Sequence, residues 1–187
     1  MFKATCKLQS MSPYSQSKFI SEKKPKSETH ADFEKRSWPQ RCHVNDDGNV
    51  FIPPMAFKNC LSEAAKYKSI KIPGKGQSTY TKHIEAGVLV LDPLVLPMTL
   101  DDLSFEWLHV PSDGQRGGKK RVEKCFPLIP KWTGTVDFLI FDEQVTEEVF
   151  TDHLDDAGSF IGIGRFRPRN NGFYGRFCVE SMKWNKA

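Results

Sequence analysis

Polar and apolar residues alternate at the start of the chain. In KATCKLQ, residues 3–9, Ala4, Cys6 and Leu8 fall on one side and Lys3, Thr5, Lys7 and Gln9 on the other, the period of a strand with one buried face. The pattern then breaks. From Ser10 to Gly48 the chain is rich in Ser, Lys, Glu, Pro and Asp with scattered aromatics and no sustained period, so a long excursion is expected and not a core element. A helical period follows: in FIPPMAFKNCLSEAAKY, Phe57, Cys60, Leu61, Ala64 and Ala65 share one face. Pro54 suits the first turn, where a missing N–H has no intrahelical partner to lose.

Residues 68–85 look too polar for the core. Lys68, Lys71, Lys75 and Lys82 surround the glycine-containing IPGKGQSTYT, a candidate phosphate-contacting loop. AGVLVLDPLVLP reads as one or two strands interrupted at Asp92-Pro93, FEWLHV as another, and DGQRGGKKR as an exposed loop or ribbon tip. TVDFLIF alternates Val136, Phe138 and Ile140 against Thr135, Asp137 and Leu139, again a strand. TEEVFTDHLDDAG predicts a second helix: Thr146 can cap, Glu147 and Glu148 favour the positive N-terminal end, and Val149, Phe150, His153, Leu154 and Ala157 form the packed face. Gly158 is expected to end it.

The next stretch, GSFIGIGRFRPRNNGFYGRF, holds five glycines, four arginines and five aromatics in twenty residues. Asn171-Gly172 is a two-residue turn signal, so a glycine-rich strand or loop is expected up to Arg169, then a final strand, YGRFCVESMKW. Gly162-x-Gly164 does not make a dinucleotide fingerprint, which needs a strand before the glycines and a helix after them. A P-loop fails as well, since no Gly-Lys-Ser/Thr opens a helix. What remains is a backbone able to approach a ligand closely, beside Arg165, Arg167, Arg169 and Arg176. Guanidinium forks match phosphate, and Phe166, Phe173 and Tyr174 offer rings on which bases stack. The same glycines can equally serve sharp turns, the arginines can form a solvated face, and Phe160, Ile161, Ile163 and Phe177 suit a core.

Length and composition narrow the class. At 187 residues, 39% hydrophobic and 27% charged, the chain reads as a single globular domain, and the lack of a long apolar run argues against a membrane span. MFKATCKLQS lacks the apolar core of a signal peptide, so a cytoplasmic location is expected. The five cysteines are scattered without a CxxC pair, which suits reduced thiols in the core. Asp46-Asp47, Asp101-Asp102 and Asp155-Asp156 lack the spacing of a metal loop, and neither a metal nor another cofactor is expected. The net charge of +4 is modest, so a nucleic-acid signal must come from where the charge sits.

The predicted order, strand, helix, two or more strands, helix, strand, matches the β-α-β-β-α-β plan of ferredoxin-like domains. The fold class expected is therefore α+β, a ferredoxin-like or RRM-like antiparallel sheet with two helices, large insertions and a C-terminal glycine-rich β-hairpin arm. Core elements are placed at about 1–10, 49–67, 86–110 and 133–187, and insertions at about 11–48, 68–85 and 111–132. A helix opening just after an IPP stretch and the late AGSFIGIGRFRPRNNGFYGRF segment resemble the RAMP superfamily of RNA-binding proteins, which includes the backbone subunits and guide-processing nucleases of CRISPR complexes. The layout covers most of the chain, and the likeness is carried by about residues 51–65 and 157–178. It implies single-stranded RNA, or DNA, lying across the domain, with Arg165, Arg167 and Arg169 matching the family's glycine-rich segment by position. The insertions would clamp nucleic acid or a neighbouring subunit, giving a homo-oligomer or filament along the strand or a place in a larger ribonucleoprotein. Lys75, Lys82, Lys119, Lys120 and Arg121 would be further phosphate contacts.

Two other classes stay open. The superfamily's guide-processing nucleases can carry a catalytic histidine before the first helix, where His43 lies, and His30, His83 and Tyr80 occupy other polar segments. Metal-independent RNA cleavage would need such a base beside the attacking hydroxyl. A non-enzymatic inhibitor or viral interaction protein is the third class, with Trp38, Trp107, Trp132 and Trp184 as possible anchors.

Overall fold

The alternating N-terminal stretch forms β1, Phe2–Ser10, with Ala4, Cys6 and Leu8 fully buried. In the computed structural model, which describes residues 1–112 and 120–187, the elements after it are α1 (His30–Ser37), β2 (Phe51–Ile52), α2 (Pro54–Lys68), α3 (Tyr80–Gly87) and β3 (Val88–Val90). Then come β4 (Leu94–Val95), β5 (Ser104–Pro111), β6 (Arg121–Leu128), β7 (Thr133–Ile140), α4 (Glu147–Asp156) and β8 (Phe177–Lys186).

Four strands make the main sheet in the order β3-β7-β1-β8, every neighbouring pair antiparallel. With α2 between β1 and β3 and α4 between β7 and β8, this is the ferredoxin-like plan. The two helices cover one face. Phe57, Cys60, Leu61, Ala64 and Ala65 of α2 and Phe150, His153 and Leu154 of α4 are buried, and the hydrophobic ones form one core with Ala4, Cys6, Leu8, Val136, Phe138 and Ile140. Phe138 meets Phe150 edge-on at 5.2 Å between ring centres, and Phe57 meets Phe177 at 6.0 Å. Thr146 caps α4 by accepting the Val149 N–H, and Lys68 at the end of α2 reaches Asp152, 3.0 Å away, and Asp156 on α4. Cys6, Cys42, Cys60 and Cys125 are buried free thiols, and burial pushes the first three up to about 12 and Cys125 to about 11. Among the described residues, no helix is long and apolar enough to cross a membrane.

Four details differ from the hydrophobic pattern. The excursion after β1 holds α1, capped by the Thr29 hydroxyl, and the buried residues of this helix and of the 3-10 turn after it (Trp38–Arg41) are largely polar: Glu34, Ser37 and Arg41, with Phe33. Arg41 pairs with Glu34 at 2.9 Å and donates to the Cys125 carbonyl at 3.0 Å, while Glu34 accepts the Cys125 N–H at 3.2 Å. A segment docked by an ion pair leaves no apolar period to read. Residues 68–85 likewise hold most of α3, which buries Tyr80 and Ile84, and Lys58 donates to the carbonyls of Ile84 and Glu85 near its C-terminal end. Of residues 86–110, only β3 joins the main sheet; β4 pairs with β2, and β5 pairs with β6 as a separate ribbon. Phe105 and Trp107 lie exposed on β5, so alternation there does not mark a core strand. Residues 113–119, where the sequence predicts a loop or ribbon tip, lie outside the described residues, and Lys119 is among them. Finally, Gly158 does not end the second helix. The chain winds on as a wider π turn, Ala157–Ile161, and stops at Gly162 with φ of 73°. Residue 158 is glycine for another reason: a Cβ there would overlap the Phe177 carbonyl of β8.

His153 gives this core a pH dependence. Its Nδ1 donates to the Val149 carbonyl at 2.7 Å, its Nε2 is buried with no partner among the described residues, and the Tyr80 ring stands edge-on at 5.9 Å. Burial holds its pKa below the ordinary histidine value, aided by the Lys68 charge and opposed by the Val149 bond, Asp152 and Asp156. The unfolded chain therefore takes up the proton first. Stability from this residue is present in full above about pH 6.5 and falls as the pH drops through the lowered folded value. Urea titrations between about pH 7 and pH 5 should show declining stability in the native chain and a flatter profile in His153→Leu; equal slopes would show that His153 is not the source.

Candidate nucleic-acid interface

Beyond Gly162 the glycine-rich stretch folds back on itself as an irregular hairpin. The Ile163 N–H bonds the Gly175 carbonyl at 2.9 Å, Tyr174 bonds Phe166 at 3.1 Å and Gly172 bonds Arg167 at 3.0 Å, around a short 3-10 turn at Pro168–Asn170. Regular strand begins only at Phe177. The glycines serve this packing. A Cβ at Gly175 would strike the Ile163 carbonyl, and one at Gly164 would strike the Tyr14 ring and the Ser15 carbonyl. Both residues also have positive φ, 81° and 76°.

Residues 11–18 are the seat of this arm. Met11 donates to the Arg176 carbonyl at 2.8 Å, Gly175 to that of Pro13 at 2.8 Å and Arg165 to that of Ser15 at 3.1 Å. The other edge of the same strap exchanges two bonds between Tyr14 and Ile129, each 2.8 Å, and Ser15 Oγ donates to the Pro127 carbonyl at 2.8 Å. Gln16 ties in the segment before α2, donating to the Phe51 carbonyl and accepting the His43 N–H.

The four arginines have different surroundings. Arg165 is withdrawn, its side chain 14% exposed, with the guanidinium 3.7 Å from the Phe126 ring centre and 3.6 Å from Glu106. Burial lowers its pKa, which marks the cost of holding a charge there. Tyr174 completes the cluster: its hydroxyl donates to Glu106 at 2.6 Å, and burial with that bond pushes its pKa up to about 12. Arg176 donates to the Ser159 carbonyl at 3.2 Å, across the base of the arm. Arg167 and Arg169 face α2, where both meet Glu63, at 2.7 Å and 3.2 Å. Phe166 and Phe173 are more than half exposed, and Phe166 sits at φ of 50°, an uncommon conformation for an aromatic residue.

Two hollows that share Met55, Asn59 and Arg167 run along α2. The first, about 470 Å³, lies between the strap and the arm and includes His43, Gln16, Gly164 and Arg165. The second, about 700 Å³, includes Lys58, Glu63, Lys66, Tyr67 and Arg169. Five cations, Lys58, Lys66, Arg165, Arg167 and Arg169, line them against two acids, Glu63 and Glu85. Tyr67 and Phe160, both more than half exposed, pair at 6.1 Å between ring centres beside the second hollow. His43 is half-buried beside the Phe51 ring, and burial lowers its pKa, as does the Lys18 charge.

The structure thus gathers Arg165, Arg167, Arg169 and His43 on one groove, with Phe166, Phe173, Tyr174 and Arg176 on the arm beside it. The remaining basic candidates lie elsewhere. Lys75 acts on Asp142, which holds His83 at 2.7 Å; Lys82 is exposed on α3; Lys120 precedes the second ribbon strand and Arg121 opens it. The pattern of the sequence gives no sign of Lys58, Asn59, Glu63, Lys66 and Tyr67 as site residues, because they read as the solvated face of α2. Phe160, which suits a core by its pattern, is exposed instead. Of the tryptophans, Trp132 is buried, Trp184 packs against the core, Trp38 meets Phe105 at 5.3 Å, and Trp107 is exposed.

No protein-family model matches the chain, and no curated protein matches it by sequence. Solved structures do match in fold. One is a chain from the Type III-B Cmr-beta bound to cognate target RNA, with a TM-score of 0.57 at 11% identity, covering 99% of this chain and 61% of that one. The chain therefore spans about three fifths of that relative's length. Another is Cmr6 from Pyrococcus furiosus, with a TM-score of 0.51 at 14% identity, covering 96% of this chain and 99% of that one. At these identities the likeness is one of fold alone: the chain shares the ferredoxin-like fold of these two structures.

The seating of the arm can be tested through its glycines. Gly164→Ala should destabilise the chain by at least about 2 kcal/mol, because left-handed strain adds to overlap with Tyr14 and Ser15. Gly74, with φ of 77° and no atom near its missing Cβ, is the control. Gly74→Ala should cost only the backbone term, about 1 kcal/mol. Equal losses in urea titration would mean that close packing at Gly164 contributes nothing.

Proposed function

We propose that the chain binds single-stranded nucleic acid, RNA in the first place, along the groove between α2 and the glycine-rich arm, as a subunit of a CRISPR-type ribonucleoprotein. The observation that carries this reading is the groove's excess of cations beside exposed rings. Two forked guanidinium groups line its second hollow, with Phe166, Phe173 and the Tyr67–Phe160 pair among the exposed rings nearby. Phosphates need the first and unstacked bases the second, and neither requires a base sequence. The fold likeness supports the same reading, since one of the similar chains comes from a complex bound to target RNA. Further copies or partner subunits would sit beside this one along the strand, in contact with its insertions.

Binding should weaken steeply with salt, because each neutralised phosphate releases counterions. The double variant Arg167→Ala/Arg169→Ala should bind all sequences more weakly, with a log–log salt slope shallower by about 1.4, roughly 0.7 for each arginine removed. Its melting temperature should barely move, since both residues are partly exposed. Arg165→Ala should instead lower stability, because its guanidinium packs on Phe126 and lies beside Glu106. An affinity indifferent to salt, or a double variant that binds like the native chain, would remove this reading.

One placement favours the nuclease alternative enough to test it. His43 shares the first hollow with Arg165 and Arg167, and its lowered pKa leaves the imidazole neutral near pH 7, as a general base requires. Among the described residues, however, no side-chain hydrogen bond orients its ring. RNA incubated with the protein in excess chelator should remain intact, and His43→Ala should leave RNA integrity unchanged. Cleavage that leaves a 2′,3′-cyclic phosphate and vanishes in His43→Ala would replace the binder with a nuclease.

A further inference from the structure

The contact between Glu63 and two arginines suggests how the groove meets its ligand. Glu63 Oε2 lies 2.7 Å from Arg167 Nη2, and Oε1 lies 3.2 Å from Arg169 Nε. One carboxylate therefore bridges two guanidinium groups that would otherwise face each other as like charges. It lies in the wall of the larger hollow, with Asn59, Ser62 and Lys66 around it, and Tyr67 beyond. We infer that Glu63 occupies, in the free protein, the seat of one backbone phosphate, and that Arg167 and Arg169 pass from its carboxylate to the phosphodiester when RNA binds. This rests on the nucleic-acid reading above and adds to it a defined phosphate subsite and its built-in competitor.

The chemistry of the two anions makes the exchange feasible. A phosphodiester, like a carboxylate, carries one negative charge and offers two oxygens to forked N–H donors. The side chains of Arg167 and Glu63 are 24% and 28% exposed and that of Arg169 is 50% exposed, so water reaches the pair and the bridge can open without stranding a buried charge. Glu63 then has two effects. It keeps both guanidinium groups turned into the groove before ligand arrives, and it makes any anion compete for them. A lone phosphate ion gains only this one seat, whereas a strand also gains the neighbouring cations and rings. The competitor thus biases the groove toward polyanions. Glu85, on the same groove, carries the same charge but pairs with a lysine, Lys66, at 2.6 Å.

The test is a gain of affinity. Native chain, Glu63→Gln and Glu85→Gln are titrated with fluorescent oligouridine RNA at fixed salt, and melting temperatures are recorded for each. Glu63→Gln, nearly the same shape without the charge, should bind about three- to tenfold more tightly, the size of one nearby charge removed at a wet site. Glu85→Gln should gain less. In the Arg167→Ala/Arg169→Ala background the Glu63→Gln gain should vanish, since no arginine pair remains to be released.

If the native chain binds and Glu63→Gln binds equally or more weakly, Glu63 only braces the arm and the inference fails while the nucleic-acid reading stands. An equal gain in Glu85→Gln, or a gain that persists without the two arginines, reduces the effect to bulk charge and also overturns the inference. If neither the native chain nor Glu63→Gln binds RNA, the nucleic-acid reading fails and this subsite with it.

Discussion

The pairing of β1 with strands on both its sides is the constraint from which the rest of the architecture follows. Phe2–Ser10 matches Thr133–Ile140 along one edge and Phe177–Lys186 along the other, so the first nine-residue strand of the chain becomes the centre of the sheet. Its inward residues, Ala4, Cys6 and Leu8, are small or slender enough for α2 and α4 to lie against it. The pairing also fixes where the irregular parts begin. Residues 11–18 leave the sheet next to the point where the glycine-rich arm enters β8, and the two meet there through backbone hydrogen bonds.

That meeting gives the arm its shape. An isolated loop of about fifteen residues with many glycines would lose much conformational entropy on adopting one fold. Here the loss is offset by bonds to the strap on one side and by the Arg165, Glu106 and Tyr174 cluster on the ribbon side. The Phe126 ring receives two guanidinium groups, from Arg165 at 3.7 Å and from Arg41 at 4.8 Å. Contacts of this kind contribute about 1–2 kcal/mol each when partly desolvated. Through that ring the inserted segment after α1, the ribbon and the arm share one anchor, although none of them belongs to the ferredoxin-like core.

The groove inherits its character from these anchors. Arg165 is taken up by packing, which leaves Arg167 and Arg169 as the more accessible charges and places them against α2. The exposed face of that helix, ordinary in an isolated amphipathic helix, becomes the floor of a site because the arm lies over it. His43 comes to the same groove by another route: Gln16 holds its backbone N–H, so the strap that seats the arm also sets the position of the histidine.

Much of the core was legible because alternating burial is a local signal. The first strand, the face of α2 and the TVDFLIF strand follow from periods of two or about 3.6 residues, the Thr146 cap and the first-turn proline from local backbone chemistry, and the final strand from the turn signal before it. The order of those elements is enough to suggest the sheet. What the tertiary structure decided lies where burial is polar or distant in sequence. Glu34 and Arg41 dock α1 as an ion pair, which no hydrophobic period reports. Gly164 is glycine because of Tyr14 and Ser15, far away near the start of the chain, and not because a ligand must approach it. Glu63 reads as one more solvated acid on a helix until folding brings Arg167 and Arg169 to either side of it. Sequence spacing encodes which face of an element is apolar; which distant charge meets that element's other face depends on loop closure and packing, and appears only in the folded chain.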